Sequence, residues 1–264
     1  MSDADWHRLR ATFGEDAELY ERARPEYPAE LFADLVALAL LGPGSRVLEI
    51  GCGTGQATVA LARLGCAVTA VELGGALAGI ARRKLTGFDA RVVVTPFEDW
   101  QLPPEPFDLV VAATSFHWVD PAVRVRKSAD ALRPGGTLAV VSTQHVAGGT
   151  NAFFADAQRG YERFDPATPQ GLQLQAADDL PCDSAEFDQS GRFGPVLFRR
   201  YVADHTYTSD GYLNLLSTFS GHRALPSPAR QGLFSCLRHL IDNNHQGVIT
   251  KRLMTQLAIA HRAR

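Results

Sequence analysis

The chain has little cysteine and no cysteine pair. Cys52, Cys66, Cys182 and Cys236 are scattered over 264 residues without a CxxC spacing. Neither a zinc site nor a disulfide framework is expected, no metal is called for, and a reducing compartment fits. Positive charge is not in excess either: 26 Lys and Arg stand against 29 Asp and Glu, a net charge of -3, with no dense basic block. Such a chain cannot track a phosphate backbone, so nucleic acid is excluded as the expected partner. No apolar run reaches the roughly 18 residues that a membrane span needs. The opening MSDADWHRLR has no apolar core that could act as a leader. These absences predict a soluble, cytoplasmic protein with no membrane partner. A hydrophobic fraction of 45% and a charged fraction of 21% are those of an ordinary globular chain. Its length suffices for one large α/β domain with a substantial core. No feature marks an oligomer surface.

What is present is alternation. Residues 12–40 read as two helical pieces broken at Pro25 and Pro28, the second with Leu31, Leu35 and Leu38 on one face. Short apolar runs then alternate with helical patterns: strand RVLEI, helix Gln56–Leu64, strand AVTAVE, helix Ala76–Leu85, strands ARVVV and FDLVVAA, helix Pro121–Leu132, strand GTLAVVS. Strands that alternate with helices and are apolar throughout predict βαβ units and a doubly wound, mostly parallel sheet covered on both faces. LRPGG supplies the turn into the fifth strand. Between His145 and Gly194 the pattern dissolves into an irregular stretch rich in aromatics, expected to be an ordered lid over a substrate. VLFRRYVADHTYT and RLMTQLAIAHRA, with a helix from about Ala229 to Asp242 between them, read as an antiparallel pair closing the sheet.

The chemistry gathers at RVLEIGCGTGQAT, where strand, glycine-rich turn and helix start follow one another. A dinucleotide fingerprint needs G-x-G-x-x-G; here Gly51, Gly53 and Gly55 run G-x-G-x-G and Gln56 takes the third place. Glu49 stands two residues before the first glycine, where it would repel a pyrophosphate. Glu72 ends the next strand, where a carboxylate can accept both hydroxyls of a ribose. The pattern asks for a nucleoside with a positively charged tail and no phosphates, as S-adenosylmethionine is.

At these residues the chain resembles the class I S-adenosylmethionine-dependent methyltransferases, in the small-molecule branch called type 11. VLEIGCGTG is similar to their first motif, AVEL to the acidic strand-two motif, FDLVVAATSFHWVDP to the fourth, and ALRPGGTLAVV to the turn into strand five. The resemblance implies a seven-stranded sheet with its last strand antiparallel. It also implies a cofactor lying across the carboxyl ends of strands one and two. Gly51, Gly53 and Gly55 would line its methionine part, Glu72 its ribose, and Leu73 with Phe97 and Glu98 its adenine. Thr114 of the fourth motif belongs to the same set. In ELYERARPEYP the resemblance implies that Tyr20 and Arg24 fold over the cofactor, with Arg24 forked onto its carboxylate. Two departures stand out: Pro96 where relatives carry an acid, and Gly74-Gly75 after VEL, which would loosen the following helix.

Each residue also has a plainer reading. Glu49 could serve the helix dipole, and Tyr20 and Arg24 could be surface residues. His117, after strand four, could take a proton from a hydroxyl or amine acceptor or simply shape the pocket floor with Trp118. His145, after strand five, is the second candidate base. Cys52 fits the turn as a small residue. The expected function is methyl transfer from S-adenosylmethionine to a small-molecule acceptor, at oxygen, nitrogen or carbon. The alternatives are an NAD-dependent oxidoreductase and a protein that binds S-adenosylmethionine without turnover.

Overall fold

The computed structural model describes residues 16–263. The leader reading and residues 12–15 of the N-terminal helical segment fall outside them. Asp16 opens α1 (Ala17–Ala23) by accepting the Leu19 N–H on its side chain at 2.9 Å, a cap that satisfies one of the donors a helix start leaves over. After Pro25 and Pro28 come α2 (Ala29–Ala39), β1 (Arg46–Ile50), α3 (Gln56–Arg63), β2 (Ala67–Glu72), α4 (Gly75–Lys84), β3 (Ala90–Val94) and β4 (Phe107–Ala113). A short 3-10 turn, Phe116–Trp118, precedes α5 (Pro121–Ala131) and β5 (Leu132–Gly149). The chain continues through α6 (Asn151–Phe164), α7 (Ala185–Ser190), β6 (Leu197–Thr208), α8 (Ser209–Leu216), α9 (Ser220–Ala224), α10 (Ser227–Asn244) and β7 (Val248–His261).

The seven strands form one sheet in the order β3-β2-β1-β4-β5-β7-β6. The pairs β2–β3, β1–β2, β1–β4 and β4–β5 are parallel. β7 runs against β5: Gly135 N–H donates to the Arg262 carbonyl at 3.2 Å, and Thr150 N–H to the Thr250 carbonyl at 2.9 Å. This is the doubly wound, mostly parallel sheet that the alternation predicts. Its strand order reverses between β1 and β4, and ligands of such sheets bind at the carboxyl ends beside that reversal.

The chain forms two compact units. One comprises Glu26–Thr143, Cys182–Tyr201 and the residues from Thr255 on; the other comprises the described residues up to Pro25, Gln144–Pro181 and Val202–Met254. In the first, alternate strand residues feed two apolar layers: Val47, Val68, Leu109, Val111 and Ala139 on one face, Leu48, Ile50, Val71, Val110 and Leu138 on the other. Period-two alternation with both faces buried explains why the strands carry no polar side.

The second unit revises the reading of residues 145–194. β5 runs on to Gly149, and Asn151–Phe164 is an amphipathic helix with Phe153 and Ala157 buried. Phe153, Ala157, Gly160 and Phe164 recur at helical spacing, so the period was there under aromatics that read as loop. α6 packs with Tyr212 and Leu216 of α8 and Leu233, Leu237 and Ile241 of α10 in an apolar core of the unit's own. Neither α8 nor α9 is foreseen by the sequence pattern. Phe153 is fully buried at the centre of that core. Phe153→Ala is therefore expected to destabilise the protein by about 3–5 kcal/mol, measured as a fall in the urea midpoint, while a conservative Phe153→Leu costs less.

Candidate functional site

β1 ends in Glu49, held between its parallel neighbours β2 and β4, and Ile50, paired with Val71 of β2, and the backbone then turns through Gly51, Gly53 and Gly55 at φ of 69°, 55° and 83°. Only glycine takes that left-handed region three times without strain. Gly51 has a second reason to be glycine: a Cβ there would lie 2.5 Å from Cβ of Ser115. The Ser115 hydroxyl donates to the Ile50 carbonyl, which ties the turn after β4 to the end of β1.

Glu72, 7% exposed at the end of β2, binds two loops at once. Gly53 N–H donates to its Oε2 at 2.8 Å and Gly74 N–H to its Oε1 at 2.7 Å. A carboxylate has about four lone-pair sites. Gly74 precedes α4 in extended conformation, outside the helix, so the loosening expected of Gly74-Gly75 falls on Gly75 alone. Leu73 beside it is 37% exposed, a flat apolar surface next to an acid.

Glu49 lies underneath, 1% exposed, and accepts the Thr58 hydroxyl at 2.5 Å. Burial pushes its pKa up to about 7 against the Thr58 bond, and the Glu72 charge adds to the rise. Cys52 in the same turn is buried and its thiol is pushed well up, first by burial and then by the two acids, so it is no nucleophile.

The remaining predicted residues divide. Thr114 follows β4 at φ 56°, rare for a β-branched residue, and its hydroxyl pairs with Tyr27 OH at 3.0 Å. Tyr27 was missed by sequence reasoning, and its place between two prolines carries no signal. Phe97 is buried in the apolar layer with Lys127 Nζ 5.2 Å from its ring centroid. Glu98 takes the Asp120 N–H at 3.1 Å, and its carbonyl takes Lys127 Nζ at 2.7 Å. His117 stands exposed on the 3-10 turn 5.1 Å from the Trp118 ring, its pKa lowered by desolvation from neighbouring atoms and by Arg124.

Tyr20, Arg24 and His145 belong to the other unit. There the Arg24 guanidinium donates to the Thr218 carbonyl at 3.0 Å and stacks 4.1 Å from the Phe219 centroid and 4.8 Å from that of Tyr20. His145 packs edge-on to Phe154 at 4.3 Å. Burial, with Lys251 next, lowers its pKa to about 3, too weakly basic to take a proton at neutral pH.

Residues 48–140, which span the glycine turn, Glu72 and the His117 segment, match the family model of a methyltransferase domain. They belong to the class I S-adenosylmethionine-dependent methyltransferases.

Among the relatives of this methyltransferase domain, an uncharacterised methyltransferase of Mycobacterium tuberculosis is 36% identical over 133 residues, 50% of this chain and 52% of that one. A ubiquinone biosynthesis O-methyltransferase of Xanthomonas campestris pv. campestris is 37% identical over 142 residues, 52% of this chain and 58% of that one. The chain thus spans about half the length of the curated relatives it matches. Among solved structures, an Anaeromyxobacter dehalogenans protein provisionally described as a type II methyltransferase superposes with a TM-score of 0.55 at 25% identity, covering 91% of this chain and 97% of that one. A Haemonchus contortus phosphoethanolamine N-methyltransferase, solved with S-adenosylhomocysteine, has the same fold at a TM-score of 0.55 and 15% identity over 98% of this chain and 59% of that one.

The methyltransferase domain's donor set suits S-adenosylmethionine. No Lys or Arg occurs from Glu49 to Ala62 or from Glu72 to Ala81 to neutralise a phosphate, whereas two carboxylates and an exposed leucine suit a cationic nucleoside. Among the described residues no three His, Cys, Asp or Glu side chains could hold a metal ion, and no helix is long and apolar enough to cross a membrane.

Two measurements check the two acids. Glu49 binds its proton more tightly folded than unfolded, so the native state holds more protons between pH 4.5 and about 7 and stability falls as pH rises through that window. Glu49→Gln should thus gain on the wild type by about 2–3 kcal/mol between pH 5 and pH 8, read from urea midpoints. Glu72→Ala is expected to weaken S-adenosylhomocysteine binding by about 2–3 kcal/mol in calorimetry, with the far-ultraviolet spectrum unchanged.

Proposed function

We propose that the protein transfers a methyl group from S-adenosylmethionine to a small-molecule acceptor. The observation that carries this reading is the Glu72 carboxylate, held at the end of β2 by Gly53 and Gly74 with exposed Leu73 beside it. S-adenosylmethionine supplies an electrophilic methyl on a sulfonium. Glu72 accepts the ribose hydroxyls, Leu73 receives a face of the adenine, and the glycine turn lets backbone approach the methionine part. Glu49 adds a negative charge below the turn as it ionises, which favours a cation above it and disfavours a pyrophosphate. The reaction itself asks mainly for alignment of the acceptor and exclusion of water.

Likeness to O-methyltransferases of Xanthomonas over half the chain supports an oxygen acceptor. His117 then takes the hydroxyl proton. Its lowered pKa keeps the imidazole neutral, hence able to accept, at pH 7. Transfer of isotopically labelled methyl from S-adenosylmethionine into a metabolite extract, dependent on the protein, tests the activity; tight binding with no labelled product would favour a protein without turnover. With a hydroxyl acceptor in hand, His117→Ala is expected to lower kcat about 100-fold while S-adenosylhomocysteine affinity in calorimetry stays as in the wild type.

A further inference from the structure

Lys251 lies on β7, in the unit built around Phe153, and is only 8% exposed. Among the described residues no carboxylate pairs with its ammonium. Aromatic rings and groups of the same sign lie near it. The Phe219 and Tyr212 ring centroids lie 5.6 Å and 6.0 Å from Nζ. The Arg24 guanidinium shares the Phe219 ring, and His145 and His222 both feel the lysine's charge. Burying an ammonium without a partner is costly, and ring faces return only part of that cost. Burial, and then Arg24, lower its pKa to about 8, which still leaves it mainly protonated at neutral pH. In the same neighbourhood, Nε2 of His145 is buried with no hydrogen-bond partner. Buried polar atoms are nearly always satisfied, so an unmatched nitrogen beside an ammonium that no carboxylate pairs marks a place where a partner is missing.

We propose that this unit holds a binding site for a small organic acid, one carboxylate on an apolar body, with Lys251 receiving the carboxylate and Phe219 and Tyr212 the apolar body. A single ammonium walled by rings matches a monoanion with a greasy frame better than a phosphate, whose near-double charge calls for more donors. The site stands independently of the methyltransferase reading. A Lys251 that merely orders its rings would instead make Lys251→Met less stable and leave no preference for acids.

The test is calorimetry of the full chain with benzoate, cinnamate and hexanoate, each against its uncharged amide, for wild type, Lys251→Met and, should Met misfold, Lys251→Gln. S-adenosylhomocysteine is titrated into the same preparations. The wild type should bind at least one acid roughly tenfold or more tighter than its amide. The preference should vanish in the variant, while S-adenosylhomocysteine affinity is unchanged and the thermal midpoint is no lower. The proposal is overturned if no acid outbinds its amide in the wild type, or if the variant keeps the preference. Acid binding that depends on Lys251 in a protein with no affinity for S-adenosylhomocysteine would support this site and sink the methyltransferase reading.

Discussion

A carboxylate at the end of a buried strand has to be satisfied, and the way Glu72 is satisfied organises the site. Its two oxygens take N–H groups from Gly53 and Gly74, so the turn after β1 and the turn after β2 are fastened to one side chain. Each fastening demands backbone that other residues would obstruct. Gly53 sits at φ 55°, and a Cβ on Gly74 would come to 3.2 Å from Glu72 Oε1. Once both turns are fixed, α3 and α4 start where they do, and Leu73 is left partly in solvent beside the acid. A hydrogen bond to a charged group contributes about 1.5–3 kcal/mol. The pair is therefore strong enough to order the turns.

The second acid works by a different route. Glu49 is deeper, accepts the Thr58 hydroxyl, lies in the field of Glu72, and is held near the edge of ionisation at neutral pH. A positive charge placed above the turn would draw its proton off, and a negative one would hold the proton on. The site thus discriminates by charge without a single basic side chain in either loop. The turn after β4 completes the frame: Ser115 fills the space over Gly51, and Thr114, at φ 56°, reaches Tyr27. A β-branched residue in that region is a strained choice that the surrounding contacts must sustain.

The two units divide the chemistry. The sheet unit keeps its buried charge negative, at Glu49 and Glu72; the helical unit buries a positive one, Lys251, among rings. Each has its own apolar core. In the helical unit, Phe153, Leu233 and Ile241 are as fully buried as any strand residue.

By itself the sequence determined what depends on near neighbours. β1, β2, β3 and β4 begin and end at the residues the apolar runs mark, and α3, α4 and α5 within one residue of the expected ends. The reason is that strand, turn and helix follow in a few residues, and Glu49, the glycines and Glu72 take their places from that local order. Tertiary structure decided the rest. Phe97 became core and Glu98 a partner of Asp120 because α5 packs beside them. Arg24 turned to Thr218, 194 residues away, and Thr114 to Tyr27, 87 away. Lys251 reads in the sequence as one more charge on an alternating strand. Whether a charge meets water, a carboxylate or a ring is set by which distant segments fold against it, and no spacing along the chain records that.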